Sequence, residues 1–369
     1  MKTEKTILKR EEQAVFALRA LYSRYGYLPY KMSRFEEYDL YVRSKDFLAT
    51  EQIVTFADRN GKLLALKPDV TLSIIKNAPD APGAVQKLYY NESVYRADPA
   101  SHALKEILQT GLECVGDLGS YETAEVLLLA ARSLAELSGS FVLDISHMGL
   151  ITAVLDSCGI PGEYQSRMLQ CLHRKNAHEL LTLPASLTEA AAGKLLALVE
   201  LSGEPEEVLP ALEALLTEET ELAALRELRQ LCAVLAGYRG HIRVDFSVGN
   251  NMKYYNGVVF KGYLEGLPSS ILSGGQYDKL LEKMGRTGHA IGFALYLSML
   301  ERQNISDALF DIDTLILHDG SLDGAALVAL AQNAEAEGSV LVATEPPAGR
   351  RYRRLLTVKN REVSCNEPD

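Results

Sequence analysis

The spacing of apolar and polar positions predicts a chain that mixes helices with paired strands. Between residues 5 and 25 apolar side chains recur at helical spacing, and Gly26 is expected to end this helix. Two short β-rich runs, 53–56 and 63–66, flank Asn60-Gly61, a dipeptide typical of a tight hairpin turn. The first part of the chain is therefore predicted to contain one amphipathic helix and a β-hairpin.

The rest of the chain is predicted to supply most of a sheet and a long helical stretch. Residues 150–240 are rich in Leu, Ala and Glu at helical spacing and are predicted to form a helical insertion. The other predicted elements are a helix that opens at 68–71, helices at 122–137, 277–284, 291–303 and 322–336, a turn at Gly274-Gly275, and strands at 85–96, 105–115, 141–145, 242–248, 255–264, 269–272, 314–318, 340–343 and 355–358. Strands joined by hairpins favour an antiparallel sheet.

These elements predict an α+β fold with three parts. A core is expected from residues 1–149 together with 241–308, with antiparallel strands flanked by helices. The helical insertion at 150–240 interrupts this core. A small α/β unit is expected at 309–369, and its size suggests that it leans on its neighbour.

Composition narrows the classes of function. The 369 residues are 47% apolar and carry a formal net charge of −11, which argues against broad, nonspecific nucleic-acid binding. No apolar run is long enough to span a membrane and the N-terminus lacks a signal peptide's apolar segment, so a cytoplasmic protein is expected. The five cysteines are scattered, and no short metal or nucleotide motif occurs, so neither a metal nor a cofactor is expected.

Six segments, in order, resemble motifs of the histidyl-tRNA synthetases, which are class II aminoacyl-tRNA synthetases. They comprise a hairpin that runs into a Pro-Asp-x-Thr loop, both strands of motif 2, the histidine-specific Tyr-Tyr segment, a Gly-Gly-x-Tyr-Asp run and the start of motif 3, at residues 55–71, 89–96, 108–116, 253–260, 273–278 and 291–294. The resemblance covers about residues 5–303. It implies a class II synthetase-like antiparallel sheet core and a dimer through the motif 1 region, where Ser33 replaces the expected proline.

The resemblance also implies a histidine pocket. The ammonium group of the ligand would face Asp69, Thr71 and Gln109. Its imidazole would contact Glu113 and Tyr254, and Tyr255 would line the pocket. Gln109 and Glu113 are four apart on a predicted strand, so their side chains share one face. The alternative interpretation makes Gln109 and Glu113 a solvated strand face, and the two tyrosines ordinary core aromatics.

The cations that hold ATP in a synthetase are mostly missing. Arg96 matches the motif 2 arginine, and it is interpreted either as a phosphate-binding group or as a member of a structural ion pair. By resemblance, Asn250, Gln276 and Met299 replace arginines of the family. Losing one preorganised charge around a reacting phosphate typically costs about 10²- to 10³-fold in rate, so formation of an aminoacyl adenylate is not expected.

A histidine pocket without these cations, followed by a tail too small for a full anticodon-binding domain, resembles the regulatory subunits of ATP phosphoribosyltransferase. The resemblance implies a non-catalytic partner of the short-form catalytic subunit, with L-histidine as a candidate effector. It further implies a homodimer within a hetero-oligomer, and a protein that binds neither tRNA nor a membrane. The alternatives are a divergent ligase that activates an amino acid with ATP, and a free amino-acid sensor. The basic run 350–354 is interpreted as a solvated turn between strands.

Overall fold

The chain divides into two compact units, Met1–Gln303 and Asn304–Asp369. The computed structural model describes residues 8–43, 52–78, 81, 83–98, 101–182, 187–248, 254–303 and 310–366. In these residues no helix is both long enough and apolar enough to cross a membrane.

The first unit contains eleven α-helices and twelve strands within its described residues. The helices are α1 Arg10–Arg24, α2 Tyr38–Arg43, α3 Thr71–Asn77, α4 Ser120–Leu137, α5 Met148–Ser157, α6 Gly162–His173, α7 Ala177–Thr182, α8 Glu189–Glu200, α9 Pro205–Glu213, α10 Glu219–Val234 and α11 Asp278–Lys283. The strands are β1 Leu28–Pro29, β2 Phe35–Glu37, β3 Thr55–Ala57, β4 Leu63–Leu66, β5 Val85–Ala97, β6 Leu104–Gly116, β7 Phe141–His147, β8 Ser202–Gly203, β9 Ile242–Asp245, β10 Val258–Leu264, β11 Leu272–Gln276 and β12 His289–Tyr296.

A large mixed sheet organises this unit, in the order β1-β5-β6-β12-β11-β10-β7-β9-β8. Its neighbours are antiparallel except for β1 with β5 and β7 with β9. The longest pairing joins β5 to β6 from Val85↔Gly116 to Ala97↔Leu104. The predicted α+β class and the hairpin between β3 and β4 are confirmed.

The two faces of the sheet have separate cores, because successive side chains of a strand point to opposite sides. On one face, α1 and α4 bury leucines such as Leu18 and Leu129 against the sheet. On the other, a smaller core contains Leu72, Tyr90 and Tyr277. A second small sheet, β2-β4-β3, pairs Phe35 with Leu66 and Thr55 with Ala65. The face with the smaller core also carries the candidate site.

The residues predicted as a helical insertion hold most of α5, the helices α6 to α10 and the short strand β8, which pairs with β9. A buried ion pair ties two of these helices together. The Nζ of Lys194 on α8 lies 2.7 Å from Oε1 of Glu221 on α10. Whether 150–240 forms a separate domain stays a prediction.

Two predictions in the C-terminal part of this unit are wrong. Gly274 and Gly275 lie inside β11 instead of in a turn, and residues 291–296 continue β12, with a 3₁₀ helix at Leu297–Gln303 instead of an α-helix. A short apolar run fits a buried strand as well as a helix, so periodicity does not separate them. Gly274 serves close packing, since a Cβ there would lie 2.4 Å from the carbonyl oxygen of Gly292.

The second unit is a four-stranded sheet with one helix in its described part. Its elements are β13 Ile312–His318, α12 Gly324–Glu335, β14 Val340–Ala343, β15 Tyr352–Lys359 and β16 Glu362–Asn366. The sheet order is β14-β13-β15-β16, and β13 runs parallel to both β14 and β15. Strand β16 was not predicted; it pairs with β15 as an antiparallel edge.

The interpretation of 350–354 as a turn is wrong, because Tyr352, Arg353 and Arg354 belong to β15. The two arginines form ion pairs within their own unit. Arg353 Nη2 lies 3.2 Å from Asp313 Oδ1, and Arg354 Nη1 lies 2.5 Å from Glu337 Oε2. Acidic residues of the same unit therefore balance both charges.

Candidate ligand pocket

The structure places all seven predicted site residues around one cavity of about 180 Å³ on the face of the sheet that holds the smaller core. They come from four places in the chain: the segment that leads into α3, the strands β5 and β6, and the segment before β10. In chain order the lining residues predicted from the sequence are Asp69, Thr71, Arg96, Gln109, Glu113, Tyr254 and Tyr255. Whether they form a histidine site stays a prediction.

Strand geometry explains how β5 and β6 deliver their side chains. Gln109 and Glu113 are four residues apart on β6 and so point to the same face. Arg96 projects from the end of β5 that pairs with Lys105. Gln109 and Glu113 are each only 2% exposed, so their interpretation as a solvated strand face is wrong.

Glu113 lies at the centre of the hydrogen bonds in the cavity. Thr71 Oγ1 donates to its Oε1 at 2.7 Å, and the hydroxyl of Tyr277 donates to its Oε2. Burial raises the pKa of this carboxyl to about 8, although the two hydrogen bonds oppose the shift, and the nearby Asp69 adds to it. A ligand that brings an N–H donor or a positive charge to Glu113 would favour its ionised form.

Asp69 is the second buried carboxylate of the cavity. Its Oδ1 accepts a hydrogen bond of 2.9 Å from the backbone N–H of Leu72 and so stabilises the first turn of α3. Burial raises the pKa of Asp69, against the influence of that backbone bond and of the Arg96 guanidinium. Two buried acids thus line a cavity that is small enough for one amino acid, below the roughly 300–1,000 Å³ of sites for drug-sized molecules.

Arg96 is the one basic side chain among the described residues that line the cavity. Its Nε donates a hydrogen bond of 2.8 Å to the carbonyl oxygen of Pro68, one residue before Asp69. The guanidinium therefore also fixes the segment that presents Asp69 and Thr71 to the cavity.

Tyrosines form one wall of the cavity. The rings of Tyr254 and Tyr277 stack with centroids 5.4 Å apart at 4°, and Tyr255 meets Tyr254 edge-on with centroids 4.3 Å apart. Burial raises the pKa of all three phenols, so they stay neutral and act as hydrogen-bonding groups. Tyr254 also belongs to the smaller core, so the interpretation as a core aromatic and the interpretation as a pocket residue both describe it.

Sequence reasoning missed several lining residues, most importantly Tyr277, which lies in the Gly-Gly-x-Tyr-Asp run at 273–278. Its hydroxyl contacts Glu113, and only the folded chain brings together residues 164 positions apart. Gly292 was missed because its segment was predicted as a helix. A Cβ at Gly292 would lie 1.7 Å from Glu113 Oε2, so only glycine leaves room for this carboxylate.

The positions expected to have lost arginines are only partly described. Asn250 lies outside the described residues. Met299 lies in the 3₁₀ helix Leu297–Gln303 and does not line the cavity. Gln276 points away from the cavity and donates a hydrogen bond of 2.8 Å to Asp278 Oδ2. In the part of the chain that the structure describes, no group of three or more His, Cys, Asp or Glu could hold a metal ion.

Comparisons with known proteins agree with this architecture. The family model for histidyl-tRNA synthetase matches residues 5–300. An ATP phosphoribosyltransferase regulatory subunit from Syntrophotalea carbinolica is 30% identical over 322 residues, which are 82% of this chain and 74% of that protein. A solved ATP phosphoribosyltransferase regulatory subunit/histidyl-tRNA synthetase from Bacillus halodurans has a TM-score of 0.73 at 25% identity, over 93% of this chain and 90% of that one.

A solved ATP phosphoribosyl transferase complex from Thermotoga maritima contains a chain of similar fold. Its TM-score is 0.62 at 19% identity, over 78% of this chain and 97% of that one. At this identity the likeness concerns the fold alone. Together with the family model, these structures confirm the predicted class II synthetase-like core.

Proposed function

Since the chain belongs to the family of ATP phosphoribosyltransferase regulatory subunits, which share the histidyl-tRNA synthetase fold, we propose that it binds L-histidine and passes this signal to a short-form catalytic subunit. Its role in the family is regulatory. In the proposal the chain holds the catalytic subunit in an active arrangement, and histidine in the cavity shifts that arrangement. Such coupling is typically worth about 1–3 kcal/mol and is reciprocal between the two binding events.

The observation that carries the proposal is the convergence of two buried carboxyls, Asp69 and Glu113, on a cavity of about 180 Å³. Two buried acids against the single cation Arg96 favour a ligand that brings its own positive charge and N–H donors. An amino acid with an imidazole side chain supplies an ammonium group at one end and ring N–H donors at the other. The ammonium group would face Asp69, Thr71 and Gln109, and the ring would meet Glu113 and Tyr254.

The cavity is proposed to bind its ligand without catalysing the formation of an adenylate. Adenylate formation needs several positive charges preorganised around the ATP phosphates. Of the described lining residues only Arg96 carries such a charge, and its Nε is already engaged by the Pro68 carbonyl. The resemblance to the synthetases implies that Asn250, Gln276 and Met299 stand where that family carries arginines, and this supports the same proposal.

A homodimer within a hetero-oligomer is part of the proposal. The small sheet exposes three large apolar side chains: Phe35 is 50% exposed, Phe56 37% and Leu63 45%. The rings of Phe35 and Phe56 meet edge-on with centroids 5.4 Å apart. This exposed patch supports a contact with a second copy, because apolar patches of this kind commonly mark interfaces.

The experiment that tests the proposal is calorimetric titration with L-histidine, with and without the short-form catalytic subunit. We expect one site for each chain and an affinity that changes when the catalytic subunit is present. Absence of histidine binding in both titrations would contradict the proposal.

The alternative function is a ligase that activates an amino acid with ATP, and the presence of Arg96 in the cavity is the observation in its favour. Exchange of labelled pyrophosphate into ATP, measured with L-histidine, separates the two functions. The regulatory proposal predicts no exchange above background, whereas clear exchange would establish the ligase.

A further inference from the structure

A carboxylate that does not line the cavity collects the hydrogen bonds behind the tyrosine wall. Asp278, the first residue of α11, is 8% exposed. Its Oδ2 accepts hydrogen bonds from Asn256 Nδ2 at 2.8 Å, Gln276 Nε2 at 2.8 Å and His289 Nδ1 at 2.9 Å. Its Oδ1 accepts from the backbone N–H of Ala290 at 2.9 Å. Four donors converge on one side chain, an arrangement that suits an ionised carboxylate, which only accepts.

These bonds tie together the two segments that carry the wall. The backbone N–H of Asp278 donates back to Asn256 Oδ1 at 2.8 Å, so the two residues bond in both directions. The backbone N–H of Asn256 also donates to the Gln276 carbonyl at 3.1 Å. Tyr277 directly precedes Asp278, and Tyr254 lies two residues before Asn256. The tie therefore fixes the separation of the stacked Tyr254 and Tyr277 rings.

The hydrogen bonds around Asp278 also extend to the opposite face of the sheet. His289 is about half exposed and pairs with Gly116 at the end of β12. Together with Gln276 it lines a groove of about 490 Å³ that is bordered by α4 and α10 and does not belong to the ligand cavity. Neither Asp278, Asn256 nor His289 lines the ligand cavity itself.

We infer that Asp278 is a positioning residue for the ligand pocket, a role that rests on the proposed binding of L-histidine. Tyr277 must place its hydroxyl on Glu113 Oε2, and the stacked ring of Tyr254 must stay beside it. When the Asp278 carboxylate is lost, Asn256, Gln276 and His289 lose their shared acceptor, and both wall segments gain freedom. Ligand affinity then falls although every residue that lines the cavity is intact.

The test uses the full-length protein and calorimetric titration with L-histidine at a temperature where circular dichroism shows every variant folded. Asp278→Asn should weaken binding about tenfold or more, by analogy with the roughly 10–100-fold losses found when the hydrogen-bond partners of metal-ligating side chains are removed. His289→Ala should weaken binding by a smaller factor, because it removes one of four donors. The matched control is Asp156→Asn, an exposed aspartate on α5 whose Oδ1 accepts from Gln165 Nε2 at 2.7 Å. Its affinity should equal that of the wild type.

A reciprocal exchange separates positioning from general damage. In the double variant Asn256→Asp with Asp278→Asn, amide and carboxylate change places and the two-way bond can re-form, so affinity should recover in part. Folded Asp278→Asn protein that binds histidine as tightly as the wild type would overturn the inference. If Asp278→Asn does not fold, the test rests on Asn256→Ala and His289→Ala. Wild-type histidine affinity in both of these variants would also overturn the inference. Wild-type protein that does not bind histidine would instead overturn the proposed function.

Discussion

Replacing Glu113 with glutamine should move ligand binding and stability in opposite directions. Glu113 is 2% exposed and accepts hydrogen bonds from Thr71 and Tyr277. The substitution Glu113→Gln keeps the shape and removes the charge, and because the amide nitrogen only donates, one of the two hydroxyls must then act as the acceptor. A hydrogen bond to a charged group contributes about 1.5–3 kcal/mol. Loss of one such bond to the ligand corresponds to about 10- to 150-fold weaker binding of L-histidine.

Stability should respond with the other sign, because burial makes the charged form of Glu113 costly. The pKa of this carboxyl is raised from 4.5 to about 8 in the folded chain. A raised pKa in the folded state contributes stability that is present below the unfolded pKa and is lost as pH rises through about 8. At about 1.4 kcal/mol for each pKa unit, the loss amounts to a few kcal/mol across this window. Glu113→Gln should abolish this dependence and be at least as stable as the wild type at pH 9.

The assay combines two measurements on wild type and Glu113→Gln. Urea denaturation at pH 5.5, 7 and 9 gives the free energy of unfolding, and calorimetry at pH 7 gives the histidine affinity. Titrations in buffers of different ionisation enthalpy also count protons, and we expect wild type to release a proton from Glu113 on binding. Equal affinity for both proteins would refute the contact between Glu113 and the ligand. A Glu113→Gln variant that is less stable than wild type at pH 9 would refute the cost of burying the charge.

Two further predictions concern the packing of the cavity and of the helical region. Gly292→Ala should abolish histidine binding and lower the free energy of unfolding by about 1–3 kcal/mol, because the added Cβ would lie 1.7 Å from Glu113 Oε2. Calorimetry measures the affinity and thermal unfolding measures the stability. A Gly292→Ala variant with wild-type affinity would contradict the close approach of Gly292 to Glu113. Lys194→Met should lower the free energy of unfolding, measured by urea denaturation, by about 3–5 kcal/mol, because it leaves the fully buried Glu221 without its cation. A loss below about 1 kcal/mol would contradict this, since the other hydrogen-bond partners of Glu221 would then be enough to stabilise its buried charge.

Local signals in the sequence predicted much of the fold. Asn60-Gly61 predicted the hairpin of β3 and β4, and Gly26, with φ of 79°, follows α1 in the left-handed conformation that favours glycine at a helix end. Residues 291–296 were wrongly predicted as part of a helix, since this central strand carries apolar or small residues at consecutive positions and shows no apolar–polar alternation. Local pattern does not reveal this kind of burial.

Part of the candidate site was predictable from local sequence, and part depends on tertiary contacts. The spacing of Gln109 and Glu113 predicts a shared face, and strand geometry alone suffices for it. The contact of Tyr277 with Glu113 and the space left by Gly292 depend on the pairing of β6 with β12 and on the segment after β11, so they follow from tertiary structure only. The positioning role inferred for Asp278 depends on the same tertiary contacts.

The proposal at the centre of this account is that the chain senses histidine on behalf of a separate enzyme and catalyses no reaction itself. The most direct measurement is the activity of the short-form ATP phosphoribosyltransferase catalytic subunit, reconstituted with wild-type chain or with Glu113→Gln, over a range of L-histidine concentrations. We predict that activity depends on the chain, that histidine inhibits the wild-type complex, and that the Glu113→Gln complex stays active at the same histidine concentrations. Equal inhibition of both complexes, or full activity of the catalytic subunit alone, would contradict the account.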